Sequence, residues 1–187
     1  MKLKYNKILI IALAAIVLLV SGFIFGNSFK DYEKSRKTSD KIVSVIAPDE
    51  ENKSQAVDSM VEIGGAISVW TDHNDAPEEI SVGFVIRLFA HLIEFFALGA
   101  ALMGLVLAVR AEYGRLFLGW AFFYVLAVAV TDEYIQSFSD RSSSIGDVLL
   151  DFSGALIGFA AVLLVYYVIM WIKRRRSGKR KAVEPNS

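Results

Sequence analysis

The chain has 187 residues, 20 Lys+Arg against 20 Asp+Glu, and a formal net charge of zero. At 55% hydrophobic residues and a mean hydropathy of +0.46 it is too apolar for an ordinary soluble domain and unlike a disordered chain. The neutral balance gives no basic face for nucleic acid, and zero cysteines exclude disulfides, thiolate metal sites and a cysteine nucleophile.

Four stretches approach the ~20 apolar residues needed to cross the hydrocarbon core of a bilayer. The first, Ile8 to Gly26, carries no charge and one hydroxyl, Ser21. With Lys2, Lys4 and Lys7 before it, the segment also has the shape of a secretory signal. Small residues suited to cleavage are poorly placed, because Ser21-Gly22 runs straight into Phe23, Ile24 and Phe25, so an uncleaved anchor is expected. The following loop, Asn27 to Gly83, has 57 residues with six bases and twelve acids. Its helical spacing over 40–46 and 56–67 is broken by Pro48 and Gly64-Gly65, which predicts short amphipathic helices on the bilayer or over the bundle. The segment has too few large apolar residues for a core of its own. His73 reads as a solvated loop residue.

The second span covers about 84–109 and holds Arg87, His91 and Glu94 near its start. The third begins at Leu116, is uncharged to Thr131, and needs residues 132–135 to reach full length. The fourth, Phe152 to Ile172, is again uncharged. The expected fold is therefore all-α: a polytopic membrane protein with four transmembrane helices and one long extracytoplasmic loop.

Lys and Arg gather on one side of such a topology. Lys2, Lys4 and Lys7, then Arg110 and Arg115, then seven bases between Lys173 and Lys181 share that side. The N- and C-termini are accordingly predicted to be cytoplasmic, in a cell membrane. The basic tail reads as an orientation signal attracted to anionic lipid.

Ionisable residues inside a span are costly and read by default as functional. Arg87, His91 and Glu94 are spaced i, i+4 and i+7 on one helix face. Glu133 and Gln136 share a face with Asp132 beside them, and Asp147 and Asp151 are four apart. Alternating spans put all of these, with Arg141 in the connecting loop, in one leaflet, where they should point inward. Gly154-x-x-x-Gly158 continues near the Asp147/Asp151 stripe and is read as a helix-packing pair.

At this point the sequence resembles a known family. The string Thr131-Asp-Glu-Tyr-Ile-Gln136-Ser-Phe138, then Arg141, then Asp147-Val-Leu-Leu-Asp151-Phe-Ser-Gly154-Ala-Leu-Ile-Gly158, is similar to the signature of VanZ-like membrane proteins. The upstream string Val85-Ile-Arg87-Leu-Phe-Ala-His91-Leu-Ile-Glu94-Phe-Phe-Ala-Leu-Gly99 is similar to a second block of that family. The resemblance covers roughly residues 8–170. It implies a small bacterial membrane protein of the cell envelope, related to one associated with low-level resistance to the glycopeptide teicoplanin. It also implies that Arg87, His91, Glu94, Asp132, Glu133, Gln136, Arg141, Asp147 and Asp151 are the polar signature positions. Leu88 and Phe95 depart from the family's common basic residue and tyrosine, and Ser139-Asp140 replaces a more usual proline-glycine turn.

Three functions use these residues differently. In a structural network Arg87 and Arg141 pair with the carboxylates and hold three helices in register, but the acids outnumber the bases and so call for a proton, a cation or a cationic ligand group. In an enzyme Glu133, His91 and Asp147 would handle protons while Arg141, with Arg87, grips a phosphate. In a binding protein the pocket captures a membrane lipid headgroup, a lipid-linked cell-wall intermediate or the lipid tail of a lipoglycopeptide. No serine among Ser142, Ser143 and Ser144 is marked as activated. No motif identifies a cofactor; metal-assisted hydrolysis could use His91 and carboxylates, but with no local ligand spacing such as H-x-x-x-H no metal ligand is assigned.

Overall fold

A computed structural model describes residues 2–29, 82–138 and 145–183, together with six helical residues of the intervening loop (Lys41, Asp58, Ser59, Glu62, Gly65 and Ala66). Four long helices follow one another: α1 (Lys2–Ser28), α2 (Val82–Tyr113), α3 (Leu118–Gln136) and α4 (Ile145–Val183). All four are long and apolar enough to cross a membrane, and no strand occurs among the described residues. The fold is a small polytopic helical bundle.

The helices are apolar nearly all round, as membrane spans are, so composition alone does not say which face packs inward. Burial does. On α1 the buried residues are Val17, Ser21, Ile24 and Ser28, one stripe at i, i+4, i+7 and i+11, while Ile11, Leu18, Leu19 and Phe23 face outward. On α2 the stripe is Val85, Leu88, Phe95, Leu98, Leu102 and Val106. Leu88 and Phe95, the two apolar departures noted above, are thus core residues. On α3 the inward stripe runs Ala121, Val125, Val128 and Ala129, then turns polar at Asp132, Glu133 and Gln136.

Packing between α2 and α4 is the most extensive in the bundle. Small residues make it possible. A Cβ on Gly158 would overlap the Phe96 carbonyl oxygen, one on Gly99 would overlap that of Ala155, and one on Gly154 would lie 2.8 Å from the Leu92 carbonyl oxygen. With no hydrophobic drive between helices in lipid, such close backbone approach is how two spans gain dispersion contacts. α3 closes the bundle through Phe122, whose ring packs 5.2 Å from that of Phe159 and 6.3 Å from that of Phe152.

The turn between α2 and α3 is short. Gly114 takes a positive φ of 68° and its N–H donates to the Arg110 carbonyl at 2.9 Å, a helix stop that a residue with a Cβ would strain. The outer surface is apolar, with Trp120, Phe123, Leu164 and Tyr167 exposed, and contacts membrane lipid. Trp171 sits near the end of the fourth apolar stretch, with the Arg175 guanidinium 3.9 Å above its ring, an arrangement suited to the bilayer boundary.

The fourth helix starts earlier than its apolar run. Hydropathy alone begins the span at Phe152, yet α4 begins at Ile145, so Asp147 and Asp151 lie within its first two turns. The helix tolerates them because Asp151 is turned entirely into the bundle and Asp147 is half-buried.

Candidate functional site

The site lies where α1 and α3 end and α2 and α4 begin. His91 stands on α2 one turn before Phe95, on the stripe that packs inward. Asp132 continues the buried stripe of α3, and Asp151 precedes Gly154 on the face of α4 that meets α2. Both aspartates are fully buried. His91 Nδ1 lies 3.4 Å from Asp151 Oδ1 and 3.6 Å from Asp132 Oδ2. Three helices thus bring one imidazole and two carboxylates to a single point. These three residues could hold a metal ion, since one donor atom from each lies within 4.8 Å of the others.

Asp132 is anchored from two sides. Gln136 Nε2 donates to its Oδ2 at 2.8 Å, one turn along α3, and Ser28 Oγ of α1 donates to its Oδ1. Glu94, one turn beyond His91, accepts a 2.6 Å bond from Asn27 Nδ2, again from the end of α1. Lower in the bundle, Ser21 Oγ donates to the Val17 carbonyl at 2.9 Å and lies 3.1 Å from the Tyr124 hydroxyl, so the tyrosine supplies the hydrogen between them. Asp151 differs from Asp132: neither of its oxygens, nor His91 Nδ1, has a hydrogen-bond partner.

A family model matches the chain that carries this site. The description VanZ/LLP1 matches residues 10–171, which is most of the chain. The chain belongs to the VanZ/LLP1 family. Comparison with curated proteins and with solved structures gives no match. The VanZ/LLP1 chain is thus a multi-pass membrane protein.

Of the polar positions read from the sequence, the structure of this VanZ/LLP1 member gathers His91, Asp132, Gln136 and Asp151 into direct contact range. Glu133 is buried beside Asp132 on α3. Arg87, Glu94 and Asp147 are half-buried, on α2 and α4. Arg141 and His73 lie outside the described residues. Gly154 and Gly158 sit in the α2–α4 contact.

Sequence reasoning missed Asn27, Ser28 and Tyr124. A signal for Ser28 was present: Ser21 and Ser28 are seven residues apart, on one face of an otherwise apolar helix. Asn27 stands beyond the apolar run, where nothing in the local pattern assigns it a partner 67 residues away.

Proposed function

We propose that this VanZ/LLP1 protein acts in the cell envelope through its polar site, placed in the outer leaflet, and sets susceptibility to glycopeptides such as teicoplanin by engaging a lipid-linked cell-wall intermediate or the glycopeptide's lipid tail. The observation that carries this reading is the convergence of His91, Asp132 and Asp151 from three helices inside a largely apolar bundle. Polar groups at membrane depth are expensive and read by default as functional. The outer-leaflet placement and cytoplasmic termini follow from the Lys/Arg asymmetry, with the basic segments on the side away from the site.

Chemistry on the bound intermediate is a second reading. It is favoured by His91 Nδ1 standing 3.4 and 3.6 Å from carboxylates of two other helices, a geometry suited to moving a proton. In that reading Glu133 and Asp147 assist as acid and base, and Arg141 holds phosphate.

The test is genetic and chemical. Glu133→Gln, Arg141→Ala and His91→Ala are expected to abolish a teicoplanin-resistance phenotype while membrane levels stay normal. Loss of the protein from the membrane in all three would instead make the polar set a structural network. Mass spectrometry of envelope lipids and precursors, with and without expression, separates the two readings: a new covalent species marks an enzyme, an unchanged profile a binder.

A further inference from the structure

We propose that His91, Asp132 and Asp151 form a binding centre for one divalent transition cation, of the Zn²⁺ or Mn²⁺ class. This inference stands apart from the envelope role, because cation binding is read on the purified protein.

The geometry is the first support. A cation about 2.1 Å from each donor places tetrahedral ligand atoms roughly 3.4 Å apart and adjacent octahedral ones roughly 3.0 Å apart. The observed separations of 3.4 and 3.6 Å from His91 Nδ1 to the two carboxylate oxygens are edges of this size. They are longer than the 2.7–2.9 Å of a charge-assisted N–H···O bond. A single Nδ1–H also cannot serve both carboxylates fully.

The second support is independent of the clustering. Both oxygens of Asp151 are buried without a hydrogen-bond partner, and its side chain is 1% exposed. A buried carboxylate is ordinarily hydrogen-bonded, paired or bound to a metal. Nδ1 of His91 is likewise buried without a hydrogen-bond partner. The unsatisfied atoms face the same point from α2 and α4.

Charge then selects the class of ligand. Two carboxylates and a neutral imidazole together carry two negative charges, which a divalent cation matches. One nitrogen and two oxygen donors, with no thiolate anywhere in the chain, suit Zn²⁺ or Mn²⁺ better than Mg²⁺, which prefers oxygen alone. Gln136 and Ser28 hold the Asp132 carboxylate by both oxygens, the kind of outer support that orients a metal-ligating carboxylate. Three protein ligands leave coordination positions open for water or an anionic oxygen. The sequence alone assigned no metal ligand, because no local ligand spacing is present. The three ligands instead come from three helices, so no local spacing records them.

The experiment uses the full chain, purified in detergent and stripped with chelator, then titrated with Zn²⁺ and Mn²⁺ by equilibrium dialysis. One equivalent per chain is expected. His91→Ala and Asp151→Asn should weaken binding at least tenfold, and Glu112→Gln, at the far end of α2, should leave it unchanged. Should the site variants fail to fold, the wild type decides: electron spin echo spectra of bound Mn²⁺ should show coupling to one imidazole nitrogen, retained in His73→Ala. Absence of stoichiometric binding by the folded wild type, binding undiminished in folded Asp151→Asn, or bound Mn²⁺ without imidazole coupling would overturn the proposal.

Discussion

Ser28, the last residue of α1, donates its hydroxyl to Asp132 on α3, across 104 residues of chain. The bond makes the first helix a wall of the site and not only an anchor. In lipid the hydroxyl has few other outlets, and it also lies 2.9 Å from its own Ile24 carbonyl. Ser28→Ala therefore removes a donor from a buried carboxylate. Measured interhelical hydrogen bonds in membranes average about 0.6 kcal/mol and reach about 1.7. We expect a loss toward the upper figure, read as a lower unfolding midpoint in detergent, because Asp132 is fully buried.

Gly158 and Gly104 make a matched pair for testing helix packing. A Cβ at Gly158 would overlap the Phe96 backbone oxygen, and backbone cannot move aside as a side-chain tip can. One at Gly104 would lie 3.5 Å from Leu13 Cδ2, an ordinary contact. Gly158→Ala should cost on the order of 1–3 kcal/mol through forced separation of α2 and α4, whereas Gly104→Ala should change the unfolding midpoint little. Equal effects of the two substitutions would contradict the close α2–α4 contact.

Asn27 tests the other link from α1. Its amide donates to Glu94 Oε1 at 2.6 Å, so Asn27→Asp exchanges a donor for a second carboxylate. Like charges at that distance repel in a medium of low dielectric. Asn27→Asp should thus destabilise more than Asn27→Ala, which removes the bond without adding a charge. The measurement is the difference between the two unfolding midpoints at neutral pH. The reverse order would show that the Asn27–Glu94 bond does not persist.

Orientation is accessible to labelling, since the chain has no cysteine of its own. A Ser187→Cys variant should resist a membrane-impermeant thiol reagent in intact cells and react after permeabilisation. Labelling in intact cells would invert the proposed topology and move the polar site to the inner leaflet.

Much of the fold could be read directly from residues. Spans such as Ile8 to Gly26 declare themselves because a bilayer demands ~20 consecutive apolar side chains and few other structures tolerate them. The family could be read too, in the block from Val85 to Gly99 and the strings from Thr131 to Gly158, and the match over 10–171 bears it out. The beginning of α4 was less legible. Asp147 and Asp151 interrupt the apolar run, and hydropathy does not distinguish a charge facing lipid from one facing inward.

The zero net charge is a property of the sequence alone, and its division follows from the sequence as well: bases at the two ends and the short turn, acids in the long loop and at the span ends. So do the number of spans and the set of polar candidates, because each depends on residue type and local period. The tertiary structure decided which of those candidates meet. His91, Asp132 and Asp151 are up to 60 positions apart, and only the packing of α2 against α4, with α1 and α3 closing around them, sets donor atoms 3.4 to 3.6 Å apart. That distance depends on where glycine lets two backbones touch, a long-range relation that no window of sequence contains.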